Sequence, residues 1–114
     1  MDGSTAVLMI KALDCLSARQ IATAENIANA GTTNYRPLRV TFEQALTDAA
    51  ARGDDAVRAV TPKVERAPLG SVDAELRLDL ETSTAAGTAG RYSALIDVLN
   101  RQLQMQSLAI TGNN

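Results

Sequence analysis

The most reactive side chain in this sequence belongs to its single cysteine, Cys15. Lys11 lies four residues earlier, on the same face of a helix, and a neighbouring ammonium group lowers the pKa of a thiol slightly. The sequence contains no histidine, which is the usual partner of a nucleophilic thiol and the commonest general base. We therefore interpret Cys15 as a small buried or interfacial side chain.

Four carboxylates lie close together in the second half of the chain: Asp73, Glu75, Asp79 and Glu81. They could bind a cation weakly, but they lack the spaced Asp, Asn and Gly residues of a calcium loop. We interpret them as solvated residues along the edge of a strand. Phosphate-binding glycine loops and nucleophile-elbow motifs are also absent from the sequence. The sequence therefore predicts no catalytic residue, no metal site, no cofactor, no small-molecule substrate and no enzyme activity.

The charge and composition exclude another class of function. The chain of 114 residues has 11 basic and 13 acidic residues, and only three aromatic residues, Tyr35, Phe42 and Tyr92. Nucleic-acid binding needs a basic surface and stacking aromatics, so we exclude nucleic acid as a partner. Hydrophobic residues make up 46% of the chain, but alanine, which buries little area, is the commonest of them. We expect the core to be completed by another chain.

No apolar run reaches the length of about 18 residues that a membrane-spanning helix needs. The first four residues are acidic and polar where a signal peptide would be cationic, and Lys11 and Asp14 interrupt the apolar stretch that follows. We therefore expect either a cytosolic chain or one that is exported without a cleavable signal.

Residues 1–30 form the first predicted segment, with one long helix over 4–30. Asp2 or Ser4 can cap its start, and Gly31 can end it. Small and apolar residues recur at alternating spacings of four and three, which predicts a narrow stripe suited to close helix packing. Four members of this stripe, together with residues of the C-terminal helix, are our candidates for an assembly seam: Ile10, Leu13, Ala24 and Ile27.

Residues 84–111 form a second predicted long helix. Its apolar residues follow a heptad pattern over about three heptads, which predicts the other half of the assembly seam. Gly87 and Gly90 each cost about 1 kcal/mol relative to alanine inside a helix. Either the helix begins near Gly90, or the two glycines allow close contact with another chain. The candidate seam residues of this helix are Tyr92, Ile96, Leu99, Leu103 and Ile110.

Residues 31–83 form the middle segment. Residues 31–40 are predicted as a loop that leads into an extended stretch, because Pro37 disfavours a helix. A short helix follows, in which Thr41 begins a capping box, Asp48 and Arg52 can pair, and Gly53 is the stop. The alternation of leucine with charged residues from 75 to 80 predicts a half-buried strand within a small extended or hairpin element.

These elements predict a mainly α fold in a single domain, residues 1–114. The long N- and C-terminal helices are expected to pack as an antiparallel pair or coiled coil, with the short helix and the small extended or β element between them.

Two motifs mark the first half of the chain. Asn26-Ile27-Ala28-Asn29-Ala30 runs through Gly31 and Thr32 to Asn34-Tyr35, and Phe42-Glu43-Gln44-Ala45-Leu46 follows. Together they resemble the N-terminal signature of the bacterial flagellar axial proteins, which include rod, hook and hook-associated proteins. The early Phe42 segment and the short middle resemble the proximal rod subunits most closely. The motif residues are Asn26, Ile27, Asn29, Ala30, Thr32, Asn34, Tyr35 and Phe42.

The turn inside the first motif departs from the family, which has Pro-Gly where this chain has Thr33 and Asn34. Asparagine is the non-glycine residue that best tolerates a left-handed backbone. We therefore expect a positive φ at Asn34, with Tyr35 and Phe42 packed near this corner.

The resemblance implies a structural subunit of the flagellar basal-body rod, whose terminal helices form the inner layer of a hollow tube that transmits torque for motility. Its implied partners are further copies of itself, other proximal and distal rod subunits, the rod-to-MS-ring junction protein and the flagellar export apparatus. The implied location is the rod, which crosses the periplasm and is reached by type III export without a cleavable signal. A second kind of short proximal rod subunit and a small cytosolic helical adaptor or secretion chaperone are the alternatives.

Overall fold

A computed structural model describes residues 3–71 and 76–112. The chain forms a mainly helical fold in which long N- and C-terminal helices pack together around a small middle, as the sequence predicts. The elements in chain order are α1 (Gly3–Ala28), β1 (Leu38–Thr41), α2 (Glu43–Ala50), α3 (Asp54–Arg58), β2 (Lys63–Arg66) and α4 (Leu78–Gly112). The molecule is elongated, with dimensions of 64 × 27 × 15 Å.

The terminal helices run antiparallel. Asn26, near the end of α1, contacts Glu81, near the start of α4. Ala12 of α1 and Leu95 of α4 line one groove further along. Because both helices rise by the same distance per residue, each residue further along α4 lies opposite a residue one position earlier in α1. Gly3 therefore lies opposite roughly residue 104. Among the described residues, no helix is long and apolar enough to cross a membrane.

The two short strands form an antiparallel sheet in which Val40 pairs with Val64. The extended stretch predicted near residue 40 and the small β element predicted in the middle are thus confirmed, although the strand partner comes from residues 63–66. The strand predicted over residues 75–80 is wrong from Leu78 onward, because Leu78–Leu80 is the first turn of α4. Leucine alternating with charge also fits a helix start, since Asp79 and Glu81 are favourable near a helix N-terminus. Glu75 lies outside the described residues.

The short helix α2 is confirmed, but its predicted cap is wrong. Thr41 ends β1, and among the described residues no side chain caps α2. The carboxylate of Glu43 instead accepts a hydrogen bond from the backbone N–H of Phe42, at 3.3 Å. Arg52 donates to the backbone carbonyl of Asp48 rather than to its carboxylate. Gly53, with a φ of 112° that an L side chain resists, separates α2 from α3.

The core lies between α1 and the middle segment. Phe42 is buried against α1 together with residues of β1, α2 and α3. The helix α1 therefore has two neighbours, this core on one side and α4 on another. Its buried face overlaps the predicted stripe only in part, since Leu13 is buried whereas Ile10 and Ala24 are exposed. The buried cluster comprises Cys15, Leu16, Ala22, Val40, Phe42, Leu46, Ala49 and Val57.

The C-terminal helix begins earlier than the sequence predicts, at Leu78 rather than near residue 84 or Gly90. Gly87 and Gly90 lie inside α4, and a Cβ atom added at either position would meet open space. A start at Gly90 is therefore wrong. The burial of Glu81 against α1 offsets the low helix propensity of the two glycines that follow.

Candidate functional site

The side chain of Asn26 joins four parts of the chain. Its Oδ1 accepts hydrogen bonds from the Tyr35 hydroxyl and from the backbone N–H of Leu38, both at 2.8 Å. Its Nδ2 donates to the Leu38 carbonyl at 2.9 Å and to Glu81 Oε2 at 3.0 Å. Asn26 is only 1% exposed, so these partners take the place of water. The first motif residue is thus the centre of a polar corner that holds α1, the loop, β1 and α4 together.

Glu81 is the charged member of this corner. Its carboxylate is nearly inaccessible to solvent, and its Oε1 accepts from the Arg39 guanidinium at 2.6 Å. Arg39 and Asn26 together satisfy both carboxylate oxygens, as a buried charge requires. The interpretation of Glu81 as a solvated carboxylate is therefore wrong. Asp79 is exposed and pairs with Arg77, whereas Asp73 and Glu75 lie outside the described residues.

The turn after α1 is organised by the second motif asparagine. Asn29 Nδ2 donates to the Glu25 carbonyl at 2.9 Å, and its Oδ1 accepts from the Thr32 hydroxyl at 3.0 Å. Asn34 has a φ of 60°, which confirms the left-handed turn predicted at that residue. Tyr35 packs at this corner, where the Arg66 guanidinium lies 5.2 Å from the centre of its ring. Phe42 lies in the main core instead.

Asn34 provides a test of the turn. Asn34→Val should lower the free energy of unfolding by about 1–2 kcal/mol, because a β-branched residue resists a left-handed backbone. Asn34→Gly should leave it within about 0.5 kcal/mol, because glycine adopts this conformation freely. Asn34 is exposed, so neither change alters core packing. Urea unfolding of both variants measures the difference, and equal stabilities would contradict the assignment.

A second charged contact links α1 to the start of α2. Arg19 donates to both carboxylate oxygens of Glu43, at 2.7 and 2.8 Å, and to the Val40 carbonyl at 2.7 Å. Its guanidinium also lies 4.6 Å from the centre of the Phe42 ring. The bond from Arg19 lowers the pKa of Glu43 to about 2. Sequence reasoning missed this contact because its two partners are 24 residues apart.

The contact predicts a loss of stability in acid. The pKa of Glu43 falls from 4.5 to about 2 on folding. The contribution of Glu43 to the free energy of unfolding is therefore complete above pH 4.5 and is lost as the pH falls towards 2. The carboxylate is 55% exposed, which limits the effect to about 1 kcal/mol. Glu43→Gln should remove this part of the pH dependence in urea titrations, whereas the exposed Glu65→Gln on β2 should keep it. An unchanged pH profile in Glu43→Gln would contradict the assignment.

Cys15 is fully buried in the core, which confirms its interpretation as a small packed side chain. Burial raises the pKa of its thiol, and the opposing influence of Lys11 is smaller, so the predicted lowering of the pKa is wrong. Within residues 3–71 and 76–112, no group of three or more histidine, cysteine or acidic side chains could hold a metal ion.

The residues of the predicted seam differ in their burial. Leu13 is buried, Ile27 is half-buried, and Ile10 and Ala24 face outward on α1. On α4, Ile96 and Leu99 are half-buried on the side that faces α1. Tyr92, Leu103 and Ile110 are exposed. Of the remaining motif residues, Ala30 and Thr32 are exposed in the turn.

Two surfaces on the terminal helices are apolar and open. On α1, helical spacing places Ile10, Ile21 and Ala24 on one outer face together with Ser17, Ala28 and the exposed Asp14. On α4, residues 105–112 run past the first residue of α1 and expose their large apolar side chains, Met105, Leu108 and Ile110. Large exposed apolar surfaces are typical of contacts with another molecule.

No protein-family model and no curated protein matches this chain. The motif residues and the geometry above are therefore the basis for assigning a function.

Proposed function

We propose that this chain is a structural subunit of the bacterial flagellar rod, of the proximal FlgB type, and that it polymerises through its terminal helices. The observation that carries the proposal is the motif from Asn26 to Tyr35, which resembles the signature of flagellar axial proteins. In this fold the motif joins the end of α1 to the start of α4 through Asn26 and Glu81. A motif with this role fits a family whose two terminal helices act as one unit.

The shape of the chain supports the same proposal. The antiparallel pair of α1 and α4 dominates a molecule 64 Å long, and both helices carry open apolar residues. A contact between different surfaces of identical subunits builds a filament where its rotation does not close a ring. The proposed role is structural, with no enzyme activity, no cofactor, no nucleic acid and no small-molecule substrate.

The proposed partners are further copies of the chain, other proximal and distal rod subunits, the rod-to-MS-ring junction protein and the flagellar export apparatus. The proposed location is the rod, where it crosses the periplasm, with export that needs no cleavable signal. The FlgC type of proximal subunit is the alternative within the family. The uninterrupted loop from Ala30 to Tyr35 favours FlgB, because FlgC-type chains usually carry an insertion there.

Deletion of the gene tests the proposal. We expect the deletion strain to be non-motile, with membrane rings that carry no rod in electron micrographs of isolated basal bodies. Complementation with the wild-type gene should restore both rod and swimming. Complete rods in the deletion strain would overturn the proposal.

A small cytosolic helical adaptor or secretion chaperone is the second candidate, and one observation favours it. The core around Phe42 is closed by residues of a single chain, so the middle segment does not need a partner to bury its apolar side chains. A stable folded dimer bound to a distinct client protein, together with normal rods in the deletion strain, would favour this function.

A further inference from the structure

An apolar groove lies between α1, α2 and α4. It encloses about 500 Å³. A smaller apolar depression at Leu16 and Ala94 adjoins it along the same two helices. The two together follow α1 from Leu8 to Leu16, a distance of roughly 12 Å along a helix. The side chains that line the groove are mainly Leu8, Met9, Ala12, Leu46, Ala50 and Leu95.

The end of α4 is the part of this chain that suits the groove. Residues 105–112, which we call the overhang, run past the start of α1 and are also about 12 Å long. From Gln102 to Gly112 the sequence contains no charged residue. Met105 is 60% exposed, and Leu108 and Ile110 are each 70% exposed. Glu43 also lines the groove, but its carboxylate is paired with Arg19. The overhang and the groove therefore agree in length and in their mainly apolar surface.

The overhang cannot reach the groove of its own molecule. Leu95 lines the groove, and α4 continues from it as one unbroken helix to Gly112. Leu108 lies 13 residues further along, which places it roughly 20 Å beyond Leu95. A straight helix cannot fold back over that distance, so an overhang that fills the groove must come from a second copy.

We propose that the overhang of one copy docks in the α1–α2–α4 groove of the next copy. Met105 and Leu108, which lie three residues apart on one face of α4, leave water against Leu8, Ala12 and Leu46. The two surfaces of each copy are different, so the contact leaves one of each surface free for a further copy and can repeat along an assembly. A helix end of eight residues buries less than the about 800 Å² per partner of a standard interface, so a single contact is weak. The docking specifies a contact between subunits of the proposed rod. Its location in the cell rests on the proposed rod function.

Cross-linking between two labelled copies tests the docking. One full-length variant carries Ala50→Cys in the groove, and the other carries Leu108→Cys in the overhang. Cys15 is fully buried and does not react. With a short bismaleimide, the mixed dimer should form at least tenfold faster than with the control Ala45→Cys, which is exposed on a different face of α2. Equal rates for Ala45→Cys and Ala50→Cys would overturn the proposal.

A charge pair gives an independent measurement by sedimentation at high protein concentration. Leu108→Glu should weaken self-association about tenfold or more, because it places an unpaired charge in an apolar groove. The double variant Leu108→Glu/Ala50→Lys should recover most of the loss. Both positions are exposed, so circular dichroism should show both variants folded. Wild-type association by Leu108→Glu, or no self-association of the wild type, would overturn the docking.

The outcomes also separate the docking from the rod function. If the cross-link does not form but the deletion strain lacks rods, only the docking geometry fails. If the cross-link forms and the deletion strain builds normal rods, the self-contact stands and the rod function fails.

Discussion

Asn26→Leu should lower the free energy of unfolding by about 3–5 kcal/mol, because it removes four buried hydrogen bonds at once. The Tyr35 hydroxyl loses its acceptor and the Leu38 N–H loses its partner, whereas the Leu38 carbonyl and the Glu81 carboxylate each keep Arg39. Leucine has a similar size, so the loss reports on the hydrogen bonds rather than on a cavity. Urea unfolding followed by circular dichroism measures the change.

Two variants serve as controls for Asn26. Asn29→Ala alters the other motif asparagine, whose bonds lie at the solvent-exposed turn, and should cost about 1 kcal/mol or less. Tyr35→Phe removes one of the four bonds and should cost about 1 kcal/mol, which keeps the test usable if Asn26→Leu does not fold. A loss below about 1 kcal/mol in Asn26→Leu would contradict the role of the polar corner.

Leu103→Asp should abolish motility while the protein still folds and is exported. Leu103 is 54% exposed, so its replacement does not disturb the core of the monomer. In the proposed rod it lies in a desolvated seam between copies, where an unpaired charge costs several kcal/mol. Swimming halos of the complemented deletion strain and the yield of rods in isolated basal bodies measure the effect.

Two further substitutions separate assembly from folding. Gln104→Asp introduces the same charge one residue away, at an exposed position on another side of α4, and should leave swimming close to wild type. Ile96→Asp places the charge at a half-buried position that faces α1, and should destabilise the monomer itself. Normal swimming by Leu103→Asp would refute the seam at this position.

Features that depend on neighbours in the sequence were predictable. The two long helices follow from apolar spacing, and Gly53 ends α2 because its φ of 112° suits glycine. The positive φ of Asn34 follows from the tolerance of asparagine for a left-handed turn. Each of these depends on interactions within a few residues of the chain.

Predictions from local sequence patterns were wrong where the same pattern is compatible with both a strand and a helix. Leucine alternating with charge before residue 81 predicts a strand, yet Leu78 opens a helix. The choice between strand and helix depends on Glu81. Its buried carboxylate accepts a hydrogen bond from Asn26, which lies 55 residues earlier in the sequence. The predicted stripe on α1 was only partly right for a related reason, since Leu13 is buried while Ile10 and Ala24 face outward.

The sequence by itself therefore determined the two long helices, the short helix α2 and the left-handed turn. Only the tertiary structure decided which face of α1 is buried, because that helix packs against both α4 and the core around Phe42. It also decided the partners of Asn26 and the Arg19 partner of Glu43, which lie 9 to 55 residues away in the sequence. Hydrogen bonds between distant residues leave no periodic signal in a single sequence, since their spacing is set by the path of the folded chain.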